Sequence, residues 1–74
     1  MPEYVLATFR KQRRWSPWQL AAWLGISVYH VKRLSQETRP EGDSKEIRLL
    51  LSLLAKRYRA NPERLREAFG VGDP

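Results

Sequence analysis

The chain has no cysteine. That removes disulfides and thiolate metal sites, and it suits a reducing cytoplasm. Histidine occurs once, at His30, which cannot make a metal site alone and leaves no second histidine for catalysis. No apolar run approaches the roughly 20 residues of a membrane-spanning helix, and the first residues do not follow a signal-peptide pattern. Acidic residues are scarce, eight against fourteen Lys and Arg, and fall mostly at caps, loops and solvent-facing positions. There is also no Gly-rich phosphate loop. The sequence therefore reads as a non-enzyme without a cofactor, in the cytoplasm, with no membrane partner.

What is present is small and basic. Seventy-four residues make one domain, and a chain of that size buries only roughly 60% of its unfolded surface. The net charge is +6 and the isoelectric point about 10.3. Such a surplus favours anionic partners, nucleic acid first.

The most informative stretch runs from Trp15 to Gln36, W-S-P-W-Q-L-A-A-W-L-G-I-S-V-Y-H-V-K-R-L-S-Q. Ser16 is an N-cap residue, Pro17 suits the first helical position, and Gln19 completes a capping box. Trp15 and Leu20 flank the cap as a hydrophobic staple. The helix runs to Leu24 and stops at Gly25, the residue type that most easily turns left-handed. Ser27, between Ile26 and Val31, opens a second helix that runs to about Ser35. Two capped helices joined by about three residues cross steeply, as in a helix-turn-helix. Leu20, Ala21 and Leu24 share one inward face, and Val31 and Leu34 another. Ala21 is small where the helices approach, and Ile26 plugs the turn.

L-A-A-W-L-G-I-S-V-Y-H-V-K-R-L resembles the helix-turn-helix signature of the phage repressor and Cro family, the XRE type. F-R-K-Q-R-R-W-S-P-W-Q-L-A resembles that family's first helix and its approach to the second. S-L-L-A-K-R-Y-R-A-N-P-E-R-L resembles its fourth and fifth helices. The resemblance implies an all-α, five-helix, phage-repressor-like domain over residues 1–70, with the motif at 16–35 and a loose tail at 71–74. It also implies a transcription regulator of bacterial or phage type, such as a repressor. Its partner would be double-stranded DNA, with the helix from Ser27 to Ser35 in the major groove.

The remaining elements follow from caps and periodicity. Helix one spans Pro2 or Glu3 to Arg13, with Val5, Leu6 and Phe9 inward. In the resembled family an arginine at the place of Arg10 pairs with a glutamate closing the recognition helix. Here Ser35 holds that place, so Arg10 either pairs with Glu37 or is free. Thr38–Asp43 is a loop, because Pro40 and Gly42 prevent a helix. Its Glu41 and Asp43 are unfavourable beside phosphates, although D-S-K-E offers Asp43 a capping box with Glu46. Helix four runs from about Ser44 to Arg59, with Ile47, Leu50, Leu51, Leu54 and Tyr58 as its stripe. Leu49 and Leu53 widen that stripe. They either meet helices one and five or form a homodimer contact through helix 44–59. Asn61 caps helix five and Pro62 opens it; Leu65, Ala68 and Phe69 face inward, and Gly70 ends it.

The candidate DNA-binding residues are Arg14, Pro17, Trp18, Ser27, Val28, Tyr29, Lys32, Arg33 and Arg39. Arg33 suits guanine in bidentate fashion, Lys32 a phosphate or guanine, Val28 a thymine methyl group, and Tyr29 a phosphate or another methyl. Arg14, with Arg13 beside it, and Arg39 suit the DNA backbone. His30 reads as a surface histidine without a role. Trp18 and Trp23 are either partly covered by neighbours or form a protein-contact surface. The second reading, with the acidic loop and the V-Y-H start of the recognition helix, supports an alternative function. In it the chain is a protein-binding regulator that docks on RNA polymerase or another factor of the transcription machinery.

Overall fold

The computed structural model describes residues 4–71. Within them lie five α-helices: α1 (Val5–Gln12), α2 (Pro17–Leu24), α3 (Val28–Leu34), α4 (Ser44–Tyr58) and α5 (Pro62–Ala68). This is the all-α, five-helix class expected from the sequence, with boundaries moved by a residue or two.

Four helix starts are fixed by the side chains that the sequence singled out. Ser16 Oγ accepts from the Gln19 N–H at 3.3 Å, and Gln19 Oε1 accepts from the Ser16 N–H at 2.7 Å. Ser27 Oγ accepts from the His30 N–H at 3.2 Å. Asp43 Oδ1 accepts from the Glu46 N–H at 2.9 Å. Asn61 Oδ1 accepts from both Glu63 and Arg64 N–H groups. Each such bond satisfies a donor that a helix cannot satisfy internally, and is worth about 1 kcal/mol. Helix α1 is the exception. Its N-cap is Tyr4, without a side-chain bond, and Tyr4 is tied instead to Thr38 by an isolated antiparallel bridge. The expected start at Pro2 or Glu3 lies outside the described residues.

The end of α2 holds the molecule together. An α-helix leaves its last four carbonyls without partners, and here all four are met. Ala21 O accepts from Gly25 and Ile26, Ala22 O from Gly25, and Leu24 O from Asn61 at 2.9 Å. Trp23 O accepts from the Arg64 guanidinium at 2.6 Å. Gly25, at φ +76°, makes the first two possible. Asn61 and Arg64 come from the start of α5, so α5 docks on α2 through polar groups as well as apolar ones.

Leu6, Leu20, Leu24, Val31, Leu34, Leu51, Leu65 and Phe69 form the centre of the core, with Ala21, Ala55 and Ala68 where helices approach closely. Two expectations need correction. In α4, Leu50 does not face inward but is 42% exposed. The inward side runs through Ile47, Leu51, Leu54, Ala55 and Tyr58. Ala55 is buried beside Leu51, so the centre of the inward side lies away from Leu50. The surplus leucines Leu49 and Leu53 are likewise exposed, not lining the core. The second correction is at Val71, expected in the loose tail. It packs on the core, and its N–H bonds the Arg66 carbonyl at 3.0 Å.

Arg10 takes neither expected role. Its guanidinium donates to the Trp15 carbonyl at 2.9 Å, and the Trp15 N–H returns to the Arg10 carbonyl at 3.0 Å. Arg14 makes this possible by turning left-handed at φ +57°, which folds Trp15 back onto the last turn of α1. Trp15 then joins Phe9 and Trp23 in one aromatic cluster, with centroids 5.2–6.0 Å apart. The Arg13 guanidinium lies 4.4 Å from the Phe9 ring centroid, and Arg64 lies 5.7 Å from that of Trp23. Trp23 is therefore half-buried, partly covered by arginine side chains, as one reading held, and by Phe9 and Trp15, which that reading did not name.

Among the described residues no helix is long and apolar enough to cross a membrane.

Candidate nucleic-acid interface

Helix α3 is anchored on one side and open on the other. Val31 and Leu34 are buried in the core. Ser27, Tyr29, Lys32 and Arg33 are exposed. Tyr29, Lys32 and Arg33 follow i, i+3, i+4 spacing, so they share one helix face. The backbone beneath them is fixed by the Ser27 cap and by the carbonyl network at the end of α2.

On that face Tyr29 and Arg33 act as a pair. Arg33 Nη1 donates to the Tyr29 hydroxyl oxygen at 3.0 Å, and the guanidinium carbon lies 5.8 Å from the ring centroid. The Tyr29 hydroxyl, with smaller help from Tyr58, raises the Arg33 pKa above its already high ordinary value. Arg33 is therefore a permanent cation. An arginine has five N–H donors, so those not bound to Tyr29 remain available. The phenol accepts from Arg33 and keeps its own O–H to donate. Lys32 adds a second charge one position away. The i, i+4 spacing of Tyr29 and Arg33 was a readable signal for this pair.

Two residues of α3 are less open than expected. Val28 is half-buried and packs against the core, which limits any methyl contact to its outer edge. His30 is half-buried, with ring centroids 6.0 Å from Tyr29 and 5.6 Å from Tyr58. Its place is against α4.

The other candidates divide. Arg14 is exposed and makes no side-chain hydrogen bond or ion pair with another described residue, whereas Arg13 is occupied by Glu67 at 3.4 Å and by the aromatic cluster. Pro17 opens α2 and is half-buried. Trp18, next to it, is 70% exposed. Arg39 is not brought to this group. Its guanidinium comes within 3.9 Å of where a Cβ on Gly70 would stand, among Thr8, Phe9 and Phe69. That places it beside the C-terminal end of α5, away from α3.

The loop carboxylates also have places. Asp43 caps α4. Glu41 lines a groove with Leu50 and Leu53 of α4. What remains is a basic and aromatic set in two places, Arg14 and Trp18 at the start of α2, and Tyr29, Lys32 and Arg33 on α3. It can donate hydrogen bonds to phosphate oxygens and to acceptors on base edges. In comparisons with protein-family models, with curated proteins and with solved structures, the chain matches none.

Proposed function

We propose that this protein is a sequence-specific DNA-binding regulator of transcription that lays α3 in the major groove. The observation that carries the reading is the shared outward face of Tyr29, Lys32 and Arg33 on a helix whose other face is buried. An α-helix fits the major groove, and a rigidly seated one keeps its side chains in register with the bases. The resemblance of residues 20–34 to the phage repressor and Cro signature supports the same reading. So does the +6 charge, because neutralised phosphates release counterions. In this reading Arg33 reads guanine with the donors that Tyr29 leaves free. Lys32, Arg14 and the Tyr29 hydroxyl hold the backbone.

The test is fluorescence anisotropy with the duplex recovered from a random pool. Arg33→Ala is expected to cost about 1–3 kcal/mol and to relax preference at one base position. Unchanged affinity together with unchanged preference would remove Arg33 from the reading surface.

One observation favours a second reading. Trp18 is 70% exposed, and exposed tryptophans are enriched among residues that dominate protein interfaces. In that reading the protein docks on RNA polymerase or another component of the transcription machinery, and DNA affinity is weak and unspecific. Trp18→Ala would then damage function more than Arg33→Ala, the reverse of the order the DNA reading requires.

A further inference from the structure

Helix α4 turns leucines to solvent. Leu49, Leu50 and Leu53 are 62%, 42% and 56% exposed. Beside them runs a groove of about 470 Å³, bounded by the 37–41 loop and by Leu50, Leu53, Leu54 and Arg57. Four residues of this side follow one another at spacings of four, three and four: Glu46, Leu50, Leu53 and Arg57. Those are the spacings of a single helix face. The positions read the same in both directions, but the charges at the two ends are opposite.

A palindromic spacing with opposite ends is self-complementary in the antiparallel sense. Consider two α4 helices related by a two-fold axis that passes between Leu51 and Ser52. Leu50 of each then lies opposite Leu53 of the other, and Glu46 of each opposite Arg57 of the other. An isologous contact has this property, since every pair occurs twice. Glu46 and Arg57 are exposed, and neither forms an ion pair with another described residue. The leucines form the dry middle, the groove receives the partner's side chains, and the ion pairs close the two ends.

We infer that this face of α4 binds a second copy of the chain, in the antiparallel register that pairs Leu50 with Leu53 and Glu46 with Arg57. The charge order sets the register, since a parallel pairing puts like charges together at both ends. The inference does not rest on the DNA reading.

The experiment is sedimentation equilibrium of the full chain at about 0.15 M salt, where surface charges beyond about 8 Å are screened. Protein concentration should span about 1 μM to about 1 mM, the range of weak to moderate association. The wild type is expected to pass from monomer to dimer. Leu53→Glu, at an exposed position, is expected to abolish the dimer and to leave the far-ultraviolet spectrum unchanged. Glu46→Arg alone and Arg57→Glu alone each replace two attractions with two repulsions, and each should weaken the dimer about tenfold or more. Combined, they restore opposite charges and should recover wild-type association to within about threefold. A wild type that stays monomeric throughout overturns the inference. So does a dimer indifferent to Leu53→Glu, or a double reversal no better than the single ones.

Discussion

At the scale of single residues, backbone sign decides several outcomes. Gly25 sits at φ +76°, and a Cβ there would meet nothing within 4 Å. Any cost of Gly25→Ala is therefore conformational and not steric crowding. It should destabilise the protein by about 1 kcal/mol, a fall in Tm of about 4–8 °C for a chain of this size. A Tm unchanged within error would mean that the turn between α2 and α3 is not held as described. Arg59 presents the opposite case. It caps α4 at φ +58° with a Cβ in place. Arg59→Gly should raise stability by about 0.5 kcal/mol, because relief of the left-handed strain slightly exceeds the entropy glycine gains when unfolded. Urea denaturation resolves the sign. Gly25 was legible in the sequence because glycine after a capped apolar run is a stop signal. Arg14 and Arg59 were not. Nothing in an arginine announces a positive φ, and only the surrounding bonds, such as the return of Trp15 to Arg10, impose it.

At the scale of elements, caps transferred from sequence to structure better than faces did. Ser16, Ser27, Asp43 and Asn61 all cap the helices assigned to them, since a cap depends on a few neighbouring residues. The inward face of α4 depends on what packs against it. Leu50 and Leu51 are equally apolar, and periodicity admitted both. The structure decides between them: Ala55 is buried on the side of Leu51, and Leu50 lies outside it. The distinction has a direct consequence. Leu51→Ala, at a fully buried position, should cost about 2–5 kcal/mol. Leu53→Ala, at an exposed position in the monomer, should cost less than about 0.5 kcal/mol when measured in dilute solution. Equal losses at the two positions would contradict the rotation of α4. Arg10 teaches a related point. Its expected partner lay on the chain after α3, yet the nearest acceptor was made locally by the turn between α1 and α2.

At the scale of the whole molecule, composition pointed to an anionic partner without saying where it would bind. Several of the fourteen cations are committed to the fold. Arg10 holds Trp15, Arg13 covers the aromatic cluster and meets Glu67, and Arg64 caps α2. Which cations were free could not be read from the sequence, because each commitment joins residues from different elements or crosses a turn. Of the candidate cations, Arg14, Lys32 and Arg33 are exposed and form no ion pair with another described residue, and two of the three lie on the helix that the sequence marked for recognition. If α4 also pairs two copies, two α3 helices act on one DNA, and the site should be a palindrome with half-sites about one helical turn apart.

The most direct test of the DNA-reading claim is selection of the wild-type protein from a random duplex pool at about 0.15 M salt, where non-specific binding is already weak. The account predicts a recovered motif that Arg33→Ala blurs at one position. Recovery of unrelated sequences by a folded protein would contradict it, and α3 would then not be a reader of DNA.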